Sequence, residues 1–191
     1  AGRENRLVRI IATQGSRGDE TTSLLSIWND PLYNLQRTAL DALAMNPYFG
    51  GGVADGILAN GEENSITVDE ILNRTEATVT GSTRTQIQLQ KPLATAAGLA
   101  LFAYEGGQHL VPSSSTNRPQ VLTNKLIAAN RDPRMRTITK TLFDVWFAEG
   151  GAVFCYFNYA RRPASYGSWG ALEWITQPIA QAPKFQALLD K

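Results

Sequence analysis

The run Leu99-Ala100-Leu101-Phe102-Ala103-Tyr104-Glu105-Gly106-Gly107 decides the fold. A short, nearly continuous apolar stretch that ends in a carboxylate and two glycines reads as a strand buried on both faces, the pattern of a parallel sheet. Working outward, three more runs have the same form: Leu7 to Ala12, Leu40 to Met45 and Ala152 to Phe157. Each is followed by a polar or glycine-rich loop.

Helical patterns fill the intervals. Thr21 to Trp28 carries Leu24, Leu25 and Trp28 at helical spacing and stops before the turn signal Asn29-Asp30-Pro31. Thr67-Val68-Asp69-Glu70 has the form of a capping box, in which the threonine hydroxyl accepts from the backbone N–H three residues on and Glu70 reaches back. It opens a helix through Ile71 and Leu72 that continues, with interruptions, to Ala97, where Gly98 supplies a left-handed stop. Asn130-Arg131-Asp132-Pro133 starts the next, with Ile138, Leu142, Val145 and Trp146 on one face, and Glu149-Gly150-Gly151 ends it. The last helix spans Pro183 to Leu189 and is expected to bury Phe185, Leu188 and Leu189.

Alternating strands and helices predict an α/β fold with parallel strands and right-handed crossovers. Neither a duplication nor a linker divides the chain, so residues 1–191 read as one α/β domain. The long connections, Gly50 to Ser65 and Gly106 to Asn130, both leave strand C-termini, the edge where sites gather in parallel α/β folds.

Composition narrows the function. The 191 residues are 43% hydrophobic and 18% charged, ordinary for a globular chain with a sizeable core. Eighteen basic and seventeen acidic residues give a net charge of +1, which leaves no footprint for nucleic acid or an anionic membrane and suits a neutral substrate. Leu93 to Tyr104, the most apolar stretch, is too short to cross a bilayer. Arg131, Arg134 and Arg136, like Arg161 and Arg162, read as solvated faces or helix-end ion pairs. One cysteine and one histidine do not make a zinc site, and no metal or cofactor is expected. Cys155, inside an apolar run, is expected to be buried and inert. The abrupt start at Ala1-Gly2-Arg3 suggests a processed or excised product.

Ala103-Tyr104-Glu105-Gly106-Gly107 at a strand end resembles the seventh strand of the clan A retaining glycoside hydrolases, (β/α)8 barrels whose nucleophile is a glutamate at that position. Gln14 after the first strand, Asn46-Pro47-Tyr48-Phe49 after the second and Tyr166-Gly167-Ser168-Trp169-Gly170 after the fourth are similar to the ends of the fifth, sixth and eighth barrel strands. Tyr104 to Leu110, Asn130 to Met135 and Trp169 to Glu173 also resemble uncharacterised bacterial secreted proteins of cellulase-like type. The resemblance implies half a TIM-type barrel, units five to eight, and favours an extracellular location. It also implies that the acid/base, a glutamate after an asparagine at the end of strand four, lies outside this chain.

Retaining hydrolysis needs two carboxyl groups about 5 to 5.5 Å apart, one to attack the anomeric carbon and one to shuttle a proton. Glu105, held at the end of a rigid strand, is the nucleophile candidate, with Gly106 and Gly107 expected to leave room for a sugar. Tyr48 is placed to donate a hydrogen bond to Glu105, and Trp169 to offer an indole platform for an apolar sugar face. His109 and Gln108 follow Glu105 closely enough to line the same cleft, and Gln14 and Asn46 are partners for sugar hydroxyls. Glu173 is the other carboxylate near a site loop. Asn73-Arg74-Thr75 fits a glycosylation sequon but falls within a predicted helix.

Two functional classes follow. One is a glycosidase acting on β-glycans, complete when an N-terminal half or second chain joins; its partners are a polysaccharide or oligosaccharide and either a complementary half-barrel or another copy. The other is a noncatalytic carbohydrate-binding or self-assembling half-barrel. A free-standing flavodoxin-like fold is a third architecture, but Gly15-Ser16-Arg17-Gly18 is too short for a phosphate-binding loop.

Overall fold

The computed structural model describes residues 6–190, so the start at Ala1-Gly2-Arg3 lies outside the described residues. In chain order the elements are β1 (Ile10–Ala12), α1 (Gly18–Asn29), β2 (Ala42–Met45), β3 (Tyr48–Phe49), α2 (Val53–Ala59), α3 (Val68–Thr78), a π-helical turn (Val79–Thr83) and α4 (Arg84–Ala96). Then come β4 (Ala100–Ala103), β5 (Gly107–Gln108), α5 (Gln120–Arg131), α6 (Arg134–Ala148), a 3-10 turn (Ile179–Gln181) and α7 (Pro183–Leu189).

The strands are parallel, in the order β1-β2-β4, with Ile10 opposite Ala42 and Ala42 opposite Ala100. Residues 152–157 lie along the other side of β4: Ala152 N–H donates to Leu101 O at 2.8 Å, Ala103 N–H to Val153 O at 2.8 Å and Cys155 N–H to Ala103 O at 3.0 Å. In place of the regular strand expected there, one bridge, Ala103 to Phe154, and these bonds hold the run along the border of the sheet. The four segments thus sit in chain order, consecutive ones joined by helices. Past their C-termini β3 and β5 pair, Tyr48 with Gly107 and Phe49 with Gln108.

Alternation along the strands divides the sheet into two unequal faces. Leu43, Met45, Leu101 and Ala103 pack against Ile87 and Ala94 of α4 and Trp146 of α6. A second cluster joins Phe49 to α2, α3, α5 and α6 through Ile57, Ile71, Leu72, Leu122, Leu126, Ile138 and Leu142, and Val145 and Phe154 border both clusters. The opposite face carries Ile10, Ala12, Phe102, Val153 and Cys155 around Ala42 and Ala44, which are buried at its centre. Ile10 is 47% exposed and Val153 49%. Cys155 is exposed, which corrects the expectation of a buried thiol: apolar neighbours in sequence put it in a strand, but its parity turns it to the uncovered face.

Other departures are local. The connection after Gly106 contains α5, whose Leu122, Leu126 and Ala129 are buried at helical spacing. The cap at Thr67 is half formed: its hydroxyl accepts from Glu70 N–H at 3.2 Å, while the Glu70 carboxylate accepts from Arg74 and Asn73 instead of reaching back. Thr75 of the sequon is buried in α3. Along α7 the buried residues are Lys184 and Ala187, whereas Leu189 is 61% exposed. Arg131, Arg134 and Arg136 are ion-paired with Glu173, Glu76 and Asp190.

Candidate functional site

The paired extensions β3 and β5 put one set of side chains together. Tyr48 is in register with Gly107 and Phe49 with Gln108, so the two pairs take opposite faces, and Glu105 and His109 flank this pairing beside Tyr48. Backbone bonds fix this register: Tyr104 N–H donates to Met45 O at 3.1 Å and His109 N–H to Phe49 O at 2.7 Å. The loop after residues 152–157 closes the third side. Phe157 N–H donates to Gly106 O at 2.8 Å, and Asn158 N–H to Trp169 O at 3.1 Å.

Tyr48, Glu105, His109 and Trp169 are all half-buried. The Tyr48 phenol lies beside the Glu105 carboxylate, close enough to feel its charge. Burial foremost, then the Glu105 charge, pushes the phenol above the usual tyrosine range. Tyr104 is raised in the same way, by burial and then by Glu105. His109 stands edge-on between Tyr48 (centroids 5.7 Å apart) and Trp169 (5.0 Å), and Tyr48 and Trp169 are 5.8 Å apart. Burial lowers the His109 pKa from its ordinary value, so the imidazole is neutral at neutral pH.

Trp169 is held from several directions. Its indole N–H donates to Tyr166 O at 2.6 Å, and Phe157 meets it edge-on at 6.0 Å. Gly167, at φ +110, leaves the indole its place, because a Cβ there would stand 2.7 Å from the Trp169 ring. Arg118 lies 4.7 Å over the Tyr166 ring and donates to Ser114 O at 2.9 Å. Asp55, which accepts from Ser113 N–H at 2.9 Å and from its hydroxyl at 2.7 Å, pins the same loop to α2. Neither Arg118 nor Asp55 stands out in the sequence, since each lies in a long polar connection with no periodicity.

The remaining candidates fall in different places. Gln14 is exposed at the end of β1, its carbonyl accepting from Gln90 at 3.2 Å. Asn46 follows β2 on the same edge, where its side-chain oxygen accepts from Gly15 N–H at 2.8 Å and joins the first two strand ends. Gln108 is not in the cleft: it is 1% exposed, on the opposite face of β5, with its Oε1 accepting from Lys184 Nζ at 2.9 Å. Proximity to Glu105 suggested otherwise, but a one-residue step reverses a strand side chain. Glu173 is held by two guanidinium nitrogens of Arg131, at 2.7 and 2.8 Å, so it is occupied as an ion-pair partner. Nor do Gly106 and Gly107 leave space for a sugar. A Cβ on Gly106 would meet Phe154 at 2.7 Å, and one on Gly107 would meet Tyr156 at 2.8 Å, so the room is taken by the protein's own rings.

The arrangement can hold a carboxylate in a fixed orientation beneath an aromatic wall and present it at the C-terminal edge of a parallel sheet. Among the described residues, no group of three or more His, Cys, Asp or Glu side chains is placed to hold a metal ion. Compared with family models, curated proteins and solved structures, the chain matches none of them.

Proposed function

We propose that the chain supplies strands five to eight of a (β/α)8 barrel and, with them, the nucleophile side of a retaining glycoside hydrolase site acting on β-glycans. One observation carries the reading: Tyr48 and Glu105 come together at neighbouring parallel strand ends, with Trp169 in ring contact with Tyr48. In this chemistry Glu105 attacks the anomeric carbon and the glycosidic bond breaks. The leaving oxygen takes its proton from an acid outside this chain, and water later releases the sugar. Tyr48 orients the attacking carboxylate, and Trp169 offers a stacking wall. The complementary half, or a second copy, covers the apolar sheet face and pairs with its edges.

The test uses a substrate that needs no acid. A 2,4-dinitrophenyl 2-deoxy-2-fluoro-β-cellobioside has a leaving group that departs unprotonated, and its fluorine slows release of the glycosyl ester. Mass spectrometry of the native particle should find the fluorosugar on the peptide containing Glu105, and Glu105→Gln should lose it. Binding of cellopentaose without any adduct would instead support a noncatalytic carbohydrate-binding or self-assembling protein, the reading that the uncovered apolar face of Ile10 and Val153 favours. Absence of both adduct and binding would remove the carbohydrate reading altogether.

A further inference from the structure

We propose that Lys184 is a positioning residue of this site: its amine ties the Trp169 loop to β5 and so sets where the indole stands relative to Glu105. The proposal rests on the glycosidase reading for its substrate, but the tie itself is a matter of geometry.

Lys184 is the second residue of α7 and is 2% exposed. Its Nζ donates to Gln108 Oε1 at 2.9 Å and to the backbone oxygen of Ser168. Ser168 immediately precedes Trp169, and Gln108 immediately precedes His109 on the strand that continues from Glu105. In front, the His109 and Trp169 rings meet at 5.0 Å. The two segments are therefore held together twice, by ring contact on the site face and by the amine behind it.

A lysine is a costly filler for such a place. Burial lowers its pKa to about 7, partly offset by the charge of Glu173, which Arg131 holds nearby. An apolar side chain would fill the space without that penalty, but it would not join a side-chain amide to a backbone carbonyl. What Lys184 adds is two directed donors at the end of a long stem. Because Ser168 accepts through its backbone, the bond fixes the path of the loop and not merely a rotamer. Gln108 faces away from the cleft for the same reason: its side chain is the strand's side of the tie.

The experiment labels the protein with 5-fluorotryptophan and reads its four tryptophans by fluorine NMR, with Trp169→Phe assigning the Trp169 line. Lys184→Met should shift that line and leave the Trp28 line in place. Gln108→Met should shift the same line, and the double variant should add nothing to Lys184→Met, since both remove one bridge. Cellopentaose binding should weaken about tenfold, the scale of one strong hydrogen bond. Should Lys184→Met fail to fold by circular dichroism, Gln108→Met alone carries the test. A Trp169 line unmoved in the folded variants would overturn the proposal, and so would Trp28 and Trp169 lines that move together, since that marks general loosening. The NMR readout needs no sugar, so a wild-type protein that binds no oligosaccharide would sink the glycosidase reading while leaving the tie intact.

Discussion

Tyr48 and Glu105 stand side by side as a neutral donor and a charged acceptor. The phenol's pKa is held above its usual range by burial and by the carboxylate, so Tyr48 keeps through neutral pH the proton it would donate to an attacking Glu105. Tyr48→Phe removes the donor and keeps the ring against His109 and Trp169. We expect it to slow formation of the Glu105 adduct roughly 10- to 100-fold, the range of a hydrogen bond to a charged group. The rate of adduct formation by mass spectrometry measures this, and a rate equal to wild type would show that Tyr48 does not act on the nucleophile. His109 has a different character. Burial keeps it neutral, and its edge contacts make it a wall between two rings.

At the scale of elements, two glycines show how packing decides the sign of a substitution. Gly151 ends the turn after α6, and a Cβ there would lie 2.1 Å from the Trp146 ring, a side chain buried in the core. Gly151→Ala should therefore destabilise by about 1–3 kcal/mol through overpacking. Gly56 sits inside α2 with nothing within 4 Å of the same added atom. Gly56→Ala should stabilise by roughly 0.5–1 kcal/mol, because glycine loses more backbone freedom in a helix than alanine does. Urea denaturation of both variants checks the pair, and the argument fails if they shift in the same direction. The cap of α3 is a single bond, from Glu70 N–H to the Thr67 hydroxyl, so Thr67→Ala should cost about 1 kcal/mol in the same assay.

At the scale of the whole molecule, helices cover one face of the sheet, and the borders of the other are exposed around a buried centre of Ala42 and Ala44. Ile10, Val153 and Cys155 lie on that face, and the 152–157 run presents a strand edge beside it. The chain is expected to associate through this face: light scattering at micromolar concentration should show a particle larger than a monomer, and Val153→Lys should shift it toward monomer. Labelling of Cys155 by a thiol reagent should be rapid in dilute native protein and slow as concentration rises. A labelling rate independent of concentration would argue against association there.

Stability should also depend on pH in a definite direction. The folded pKa of Lys184 is about 7, below its ordinary 10.5, so between these values the unfolded chain binds more protons and stability rises with pH. This contribution is complete above about 10.5 and lost as pH falls through 7. Tyr48 and Tyr156, both raised chiefly by burial, act oppositely, but only above the ordinary tyrosine pKa of 10. Urea midpoints should therefore climb from pH 7 toward 10, and Lys184→Met should flatten the climb.

What the sequence by itself determined is the repeating plan. Runs such as Leu99 to Tyr104 are too apolar for anything but a buried strand, and Thr67, Gly98 and Pro183 mark helix ends through local backbone chemistry that needs no distant partner. The cluster of Tyr48, Glu105, His109 and Trp169 was legible for a related reason: in a parallel sheet, residues that follow strand C-termini meet at one edge. Even α5 was written in the spacing of Leu122, Leu126 and Ala129, though its polar surroundings masked it. Only the tertiary structure decided which way individual side chains face. The exposure of Cys155 follows from strand parity and from helices covering one side alone, and the withdrawal of Gln108 follows from its register with Phe49. That Gly106 and Gly107 make room for Phe154 and Tyr156 depends on a strand that arrives some fifty residues later. Lys184 is the sharpest case, because a lysine beside a helix start reads locally as solvated. Its burial comes from two acceptors, at Gln108 and Ser168, that meet it only when α7 packs beneath the site.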